Sequence, residues 1–188
     1  AGRVVIQLIR SDTLPDEMET LTGLLNRDAI LGELDARMRN GVPGAVAVLY
    51  IDLDRFKFVN DALGHNAGDE LLVAAAHRIG RAVGEAGSIA RFGGDEFVAL
   101  LDDLACMGDA ERVAQRMLDS LHLPLRLQEH ILAVSASIGI AALQERDQPL
   151  DPLQAADLAL YRAKSAGKAQ FARYSSELQQ QAQRQLEL

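Results

Sequence analysis

Ser88-Ile89-Ala90-Arg91-Phe92-Gly93-Gly94-Asp95-Glu96-Phe97-Val98-Ala99-Leu100-Leu101 reads as two short β-rich runs parted by a glycine pair. That is a β-hairpin signature, because glycine takes the positive φ of a tight turn at little steric cost. Working back from it, Ala45 to Ile51 is continuously apolar and predicts a central strand, covered on both faces and ending in Asp52. Two helices are predicted between strand and hairpin: Arg55 to Leu63, closed by Gly64, and Gly68 to Val83, with Leu71, Leu72, Ala75 and Ile79 inward. Upstream, Ile30, Leu31, Leu34 and Met38 recur at helical spacing from Arg27 to Arg39, and Asn40-Gly41 before Pro43 stops the run.

Downstream, a helix is predicted over Asp109 to Leu121, strands over Leu123 to Leu127 and Ile131 to Ala141, and a helix from Pro152 to Ala166 closed by Gly167. A last strand covers Phe171 to Tyr174, and the glutamine-rich tail 175–188, with spaced leucines, reads as a connector helix. Arg3 to Ile9 reads as a short β segment, with a polar linker after it, so residues 1–17 are taken as a linker or the end of an upstream domain. The domain proper is 18–174. The fold class is mixed α/β with one central sheet flanked by helices.

Of the 188 residues 48% are hydrophobic and 24% charged, which suits one compact domain with short extensions. The formal charge of −8, from 19 basic and 27 acidic residues, gives no broad positive field for an extended nucleic acid. A nucleotide would be held locally, by a divalent cation, helix N-termini and a few lysines. Cys106 is the single cysteine, so there is no disulfide framework, which fits a reducing, cytoplasmic setting. The four histidines lack metal-motif spacing, no apolar run reaches the length of a membrane span, and Ala1-Gly2-Arg3 is neither a signal peptide nor a natural start, so the chain reads as a fragment.

The chemistry centres on carboxylates. Asp52 at a strand end and Asp95 in the hairpin turn can meet and hold Mg²⁺, which takes one or two carboxylates plus phosphate oxygens and waters. On spacing alone they serve equally as a helix cap and a turn residue. Asp54, just before Arg55-Phe56-Lys57, is read as a helix N-cap, with Lys57 one turn in and free N–H groups for a phosphate. Gly93 and Gly94 admit a close backbone approach as well as a turn. Asn60 and Asp69 flank the helix end at Gly64-His65, where amide and carboxylate match a guanine edge or merely complement a helix terminus. Lys164 and Lys168 share one helix face, suited to triphosphate oxygens or to the helix dipole. Gly167-Lys168 lacks the rest of a P-loop, and Ser135-Ala136-Ser137-Ile138-Gly139 fails the nucleophile-elbow pattern.

Taken in order, these segments resemble the GGDEF family from about Met18 to Tyr174. Leu21-Thr22-Gly23-Leu24-Leu25-Asn26-Arg27 is similar to its opening motif, and Asp52-Leu53-Asp54-Arg55-Phe56-Lys57-Phe58-Val59-Asn60-Asp61 with Gly64-His65 and Gly68-Asp69 to its metal and guanine segment. Arg91-Phe92-Gly93-Gly94-Asp95-Glu96-Phe97 is the name motif intact, and Ser137-Ile138-Gly139, Ala156-Asp157, Ala159-Leu160-Tyr161, Ala163-Lys164 and Gly167-Lys168 complete the series. The resemblance implies a mainly antiparallel five-stranded sheet like that of nucleotidyl cyclases and polymerase palms. It implies a diguanylate cyclase that condenses two GTP into cyclic di-GMP, with Asp95 as general base and Glu96 at the metal centre. Asp52, the Leu53 carbonyl, Asp95 and Glu96 would bind Mg²⁺ or Mn²⁺; Asn60, His65 and Asp69 the guanine; Phe56, Lys57, Gly93, Gly94, Lys164 and Lys168 the rest of the nucleotide.

A two-fold symmetric product from one guanine site per chain implies a homodimer. Gln183-Arg184-Gln185-Leu186-Glu187-Leu188 is similar to connectors that lead into an EAL phosphodiesterase domain, so an upstream sensory domain and a downstream EAL domain are expected partners. Membrane tethering of the full-length protein stays open. A silent GTP-binding module that regulates such a neighbour is the alternative function, and a pure dimerisation module is a third. Where many family members carry an Arg-x-x-Asp product-inhibition site, this chain reads Gly84-Glu85-Ala86-Gly87.

Overall fold

The computed structural model describes residues 15–41, 44–143 and 150–186; the expected β segment from Arg3 to Ile9 lies outside the described residues. Its organising element is strand β1 (Ala45–Leu53), in which every residue from Val46 onward is buried. Strands β2 (Gly87–Gly93) and β3 (Glu96–Leu104) form the expected hairpin around Gly94, whose φ of 44° meets the turn's demand for a left-handed residue. With β6 (Ala136–Ala142) and β7 (Phe171–Arg173) they make a five-stranded sheet in the order β2-β3-β1-β6-β7. All its pairings are antiparallel except the parallel β6 and β7, which α5 connects.

Helices α1 (Arg27–Asn40), α2 (Phe56–Leu63), α3 (His65–Val83), α4 (Met107–His122) and α5 (Pro152–Ser165) cover the sheet, and α6 (Ser176–Leu186) follows β7. Because side chains alternate along a strand, Leu49, Ile51 and Leu53 pack with Leu71, Leu72, Ile79, Met117 and Leu121 of α3 and α4 on one face. Val46, Val48 and Tyr50 pack with Ile30, Leu34, Ala155 and Leu160 of α1 and α5 on the other. Full burial of each such aliphatic side chain is worth roughly 1.5–3 kcal/mol relative to exposure. No helix among the described residues is long and apolar enough to cross a membrane.

One predicted element is divided. The strand expected over Ile131 to Ala141 splits into β5 (His130–Leu132), paired with β4 (Leu125–Leu127) in a separate ribbon, and β6 in the main sheet. The break falls at 133–135, where the Ser135 carbonyl accepts the Asp54 N–H at 2.8 Å and so carries the chain into the β1–β6 pairing, away from the β4–β5 ribbon. Continuous apolar character hid this, since it does not say which sheet a residue joins.

Gly139 determines how closely α5 approaches the sheet. A Cβ there would lie 1.9 Å from the Ala156 carbonyl oxygen and 2.3 Å from the Leu160 N, both backbone atoms that cannot swing aside. Gly139→Ala is therefore expected to push α5 outward and cost roughly 1–3 kcal/mol, as overpacked cores do. Thermal unfolding should show a midpoint lowered by several degrees at the roughly 2–4 °C per kcal/mol of a domain this size; an unchanged midpoint would refute the close packing.

Candidate functional site

The antiparallel pairings of β1 bring chemistry to its C-terminal end. Asp52 stands opposite Glu96 of β3 on one side and Ser137 of β6 on the other, and is 9% exposed. The Leu53 N–H donates to the Asp95 carbonyl at 3.1 Å, which fixes the hairpin turn against the strand end. Lys164, in the last turn of α5, places its Nζ 2.9 Å from Asp52 Oδ2. Four sequence-predicted residues, Asp52, Asp95, Glu96 and Lys164, are thus gathered.

Their electrostatics are strained. Burial pushes the Asp95 carboxyl above its ordinary range and the Asp52 charge adds to this, against the pull of Lys164 and Arg91. Glu96 is likewise raised, first by burial and then by Asp52 and Asp95, although the Tyr50 hydroxyl donates to its Oε2 at 3.2 Å. Tyr50 is itself pushed well above the usual phenol range, by burial and by Glu96.

A second layer holds the turn. Arg91 donates from Nε (3.0 Å) and Nη2 (2.9 Å) to the Gly94 carbonyl, and from Nη1 to Glu19 Oε1 at 2.8 Å. Glu19 also accepts from the Thr22 N–H at 2.7 Å and the Thr22 hydroxyl at 2.5 Å. Burial alone would raise the Glu19 carboxyl, but these donors and Arg91 overrule it and hold it below the ordinary range. Sequence reasoning quoted Arg91 and Thr22 without a role and missed Glu19, because its partner is 72 residues away.

The predicted guanine residues lie at the α2–α3 bend, where Gly64 takes φ 88°. Asn60 Oδ1 is buried with no hydrogen-bond partner, and the absence of a side chain at Gly68 makes room for it, since a Cβ there would come within 1.8 Å. An unpaired buried acceptor costs roughly 1–3 kcal/mol, which a donor reaching it would recover. His65, Asp69 and Lys57 are exposed around it, while Phe56 is half-buried against the core. The first amides bonded within α2 are those of Phe58 and Val59, both to the Arg55 carbonyl. Those of Phe56 and Lys57 belong to the first turn, where a helix has no internal acceptor for its N–H groups.

Asp54 departs from its expected role. The cap position of α2 belongs to Arg55, in a left-handed conformation with φ 60° and with no side-chain cap bond. Asp54 is buried instead and accepts from the Ser135 hydroxyl (2.7 Å), the Ser137 hydroxyl (2.8 Å) and the Ala169 N–H (3.0 Å). All three donors are more than 80 residues away in sequence, so local spacing pointed to the helix next door. Lys168 does not share the helix face expected for it and Lys164, because α5 ends at Ser165; it is exposed in the turn after the helix and lines a pocket with Arg55 and Phe58.

Among the described residues no three His, Cys, Asp or Glu side chains form a ready-made metal cage. The donor set nevertheless suits a hard cation, being all oxygen and mutually repelling, and Mg²⁺ needs only one or two carboxylates when phosphate and water complete its shell.

The family model for the diguanylate cyclase GGDEF domain matches residues 17–170. Diguanylate cyclase TpbB of Pseudomonas aeruginosa is 44% identical over 150 residues, which are 78% of this chain and 34% of that protein. The bifunctional diguanylate cyclase/cyclic di-GMP phosphodiesterase MucR of the same organism is 38% identical over 195 residues, 100% of this chain and 27% of that protein. The chain spans about a fifth to a third of the length of the curated relatives it matches. The solved GGDEF domain of TpbB superposes with a TM-score of 0.82 at 39% identity, covering 88% of this chain and 99% of that one.

The Glu19 clamp has a pH signature. A carboxylate held below its unfolded value stabilises the fold fully above that value, near pH 4.3, and loses the contribution as pH falls through the lowered value. The difference in unfolding free energy between the parent and Glu19→Gln, measured by denaturant titration, is expected to be constant from pH 7 to 5. It should shrink toward zero in more acidic buffer, and a difference that grows on acidification would contradict the clamp.

Proposed function

The chain belongs to the GGDEF domain family, and from that premise we propose that it is a diguanylate cyclase, condensing two GTP into cyclic di-GMP with release of pyrophosphate. The observation that carries this reading is the convergence of Asp52, Asp95 and Glu96 with Lys164 at the end of β1, where burial and mutual repulsion raise the proton affinity of two of the three. Asp52, the Leu53 carbonyl, Asp95 and Glu96 would hold Mg²⁺ or Mn²⁺, which when bound supplies charge neutralisation at the phosphates. Asp95 takes the proton of the attacking 3′-hydroxyl. Asn60, with its unpaired buried oxygen, meets donors on the guanine edge; Asp69 and His65 flank it. Lys57, Lys168 and the first-turn amides at Phe56 receive phosphates, and Gly93 and Gly94 leave the ribose side open.

One guanine site per chain and a two-fold symmetric product require two chains face to face, so activity depends on homodimerisation. A second reading rests on the company such domains keep. MucR, to 27% of which the whole of this chain is similar, carries both a cyclase and a phosphodiesterase activity in its name. A GTP-binding domain that only regulates an adjacent EAL domain is therefore the competitor.

Incubation with GTP and Mg²⁺ at several protein concentrations, with chromatographic detection of cyclic di-GMP, separates the two. Product rising faster than linearly with protein is expected. Asp95→Ala should lower turnover by about 10²–10⁴, the span of general-base effects, with GTP affinity held. Measurable GTP binding without product, even in an enforced dimer, would establish the regulatory reading. Gly68→Ala is expected to displace the Asn60 amide and weaken GTP binding about tenfold in calorimetry, with folding retained because alanine favours a helix.

A further inference from the structure

Strand β1 is apolar along its length except for Tyr50 and Asp52, which lie two residues apart and so on the same face. Asp52 belongs to the carboxylate site. Tyr50 sits one step back, buried in the packing under α1 and α5. A buried hydroxyl without a partner destabilises a fold, and phenylalanine would fill the same space without that demand. The hydroxyl is therefore to be explained by what it bonds.

Its acceptor is Glu96 Oε2, at 3.2 Å. Val98 stands directly opposite Tyr50, and Glu96 opposite Asp52, so Glu96 is the diagonal neighbour of Tyr50. A diagonal neighbour is within reach only of a long or aromatic side chain. The ring that reaches it is itself fixed. Phe92 meets it edge-on with centroids 5.5 Å apart, and Phe92 in turn lies under the Arg27 guanidinium at 4.6 Å.

Glu96 needs such a hold. Its side chain is long and only partly buried, and the charges of Asp52 and Asp95 repel it from the groups it has to join if all three are to share a cation. Lys164, the cation beside them, is engaged by Asp52. Among the described residues the Tyr50 hydroxyl is the one hydrogen-bond donor to the Glu96 carboxylate. A phenol is protonated at neutral pH, and its bond to a carboxylate is of the stronger, charge-assisted kind.

We infer that Tyr50 is the positioning residue that holds the Glu96 carboxylate at the end of β1, so that it, Asp52 and Asp95 can share a divalent cation. This rests on the cyclase reading for the cation and the nucleotide, and it adds to that reading a residue on the buried side of the site. Outer partners that orient a metal ligand typically change metal affinity by about 10–100-fold.

The readout is the Mg²⁺ requirement for binding a GTP analogue with a methylene bridge between the α and β phosphorus atoms, which cannot release pyrophosphate. Calorimetry on the whole chain at a series of Mg²⁺ concentrations gives it. Tyr50→Phe keeps the ring and its contact with Phe92, and it is expected to raise the Mg²⁺ concentration for half-maximal analogue affinity about tenfold, while affinity at saturating Mg²⁺ holds. On a Glu96→Ala background, where the hydroxyl has nothing to hold, adding Tyr50→Phe should change the requirement no further. The thermal midpoint of metal-free Tyr50→Phe should match the parent's, which separates positioning from packing.

An unchanged or lower Mg²⁺ requirement in Tyr50→Phe would overturn the proposal. The same rise on the Glu96→Ala background would do so too, as would a parent whose affinity for the analogue is indifferent to Mg²⁺. Absence of cyclic di-GMP when the parent is given GTP bears on the cyclase reading alone, because the analogue reacts in none of the variants.

Discussion

The site depends on β1 being hydrogen-bonded along both edges and buried on both faces. Such a strand has no room in its interior for an unpaired carboxylate, whose desolvation would cost several kcal/mol. Its acidic residue is therefore confined to the end, where the ladder opens toward solvent: Asp52 stands one residue from the end of β1 and Asp54 just beyond it. Antiparallel pairing on both sides then decides their company. Glu96 and Ser137 must stand opposite Asp52, and the β2–β3 turn must project beside it.

The two aspartates, two residues apart, have opposite environments. Asp52 meets Lys164 and two other carboxylates, so its surroundings carry charge that nothing in the fold fully cancels. Asp54 meets only neutral donors, and its charge is spread over Ser135, Ser137 and Ala169. The first arrangement leaves attraction to spare for cations and for what they bring. The second is self-satisfied and serves as a fixed point, linking the end of β1, the start of β6 and the turn after α5.

Glycines fall into two physical groups that look alike as letters. Gly64 and Gly94 are needed for their positive φ, at a helix junction and in a hairpin turn. Gly68 and Gly139 are needed for the space above them, one against the Asn60 amide and the other against the α5 backbone. The first group can be suspected from turn context. The second is invisible until the partner element is in place, because the contact is between residues that sequence separation does not relate.

The sequence by itself determined the mixed α/β class, the order and approximate bounds of the helices and strands, the hairpin around Gly93-Gly94, and the placing of Asp52 at a strand end. Those follow from periodicity, apolar runs and turn chemistry, which act over a few residues. The tertiary structure alone decided that Asp54 braces three segments instead of capping a helix, and that Glu19 and Arg91 clamp the turn. It also decided that Lys168 lies in the turn beyond the helix that carries Lys164 and that the apolar run from Ile131 belongs to two sheets. The reason is the same in each case: these roles are set by partners brought close through the fold, and a buried polar group goes to whichever donor or acceptor the packed chain presents, not to the nearest one in sequence.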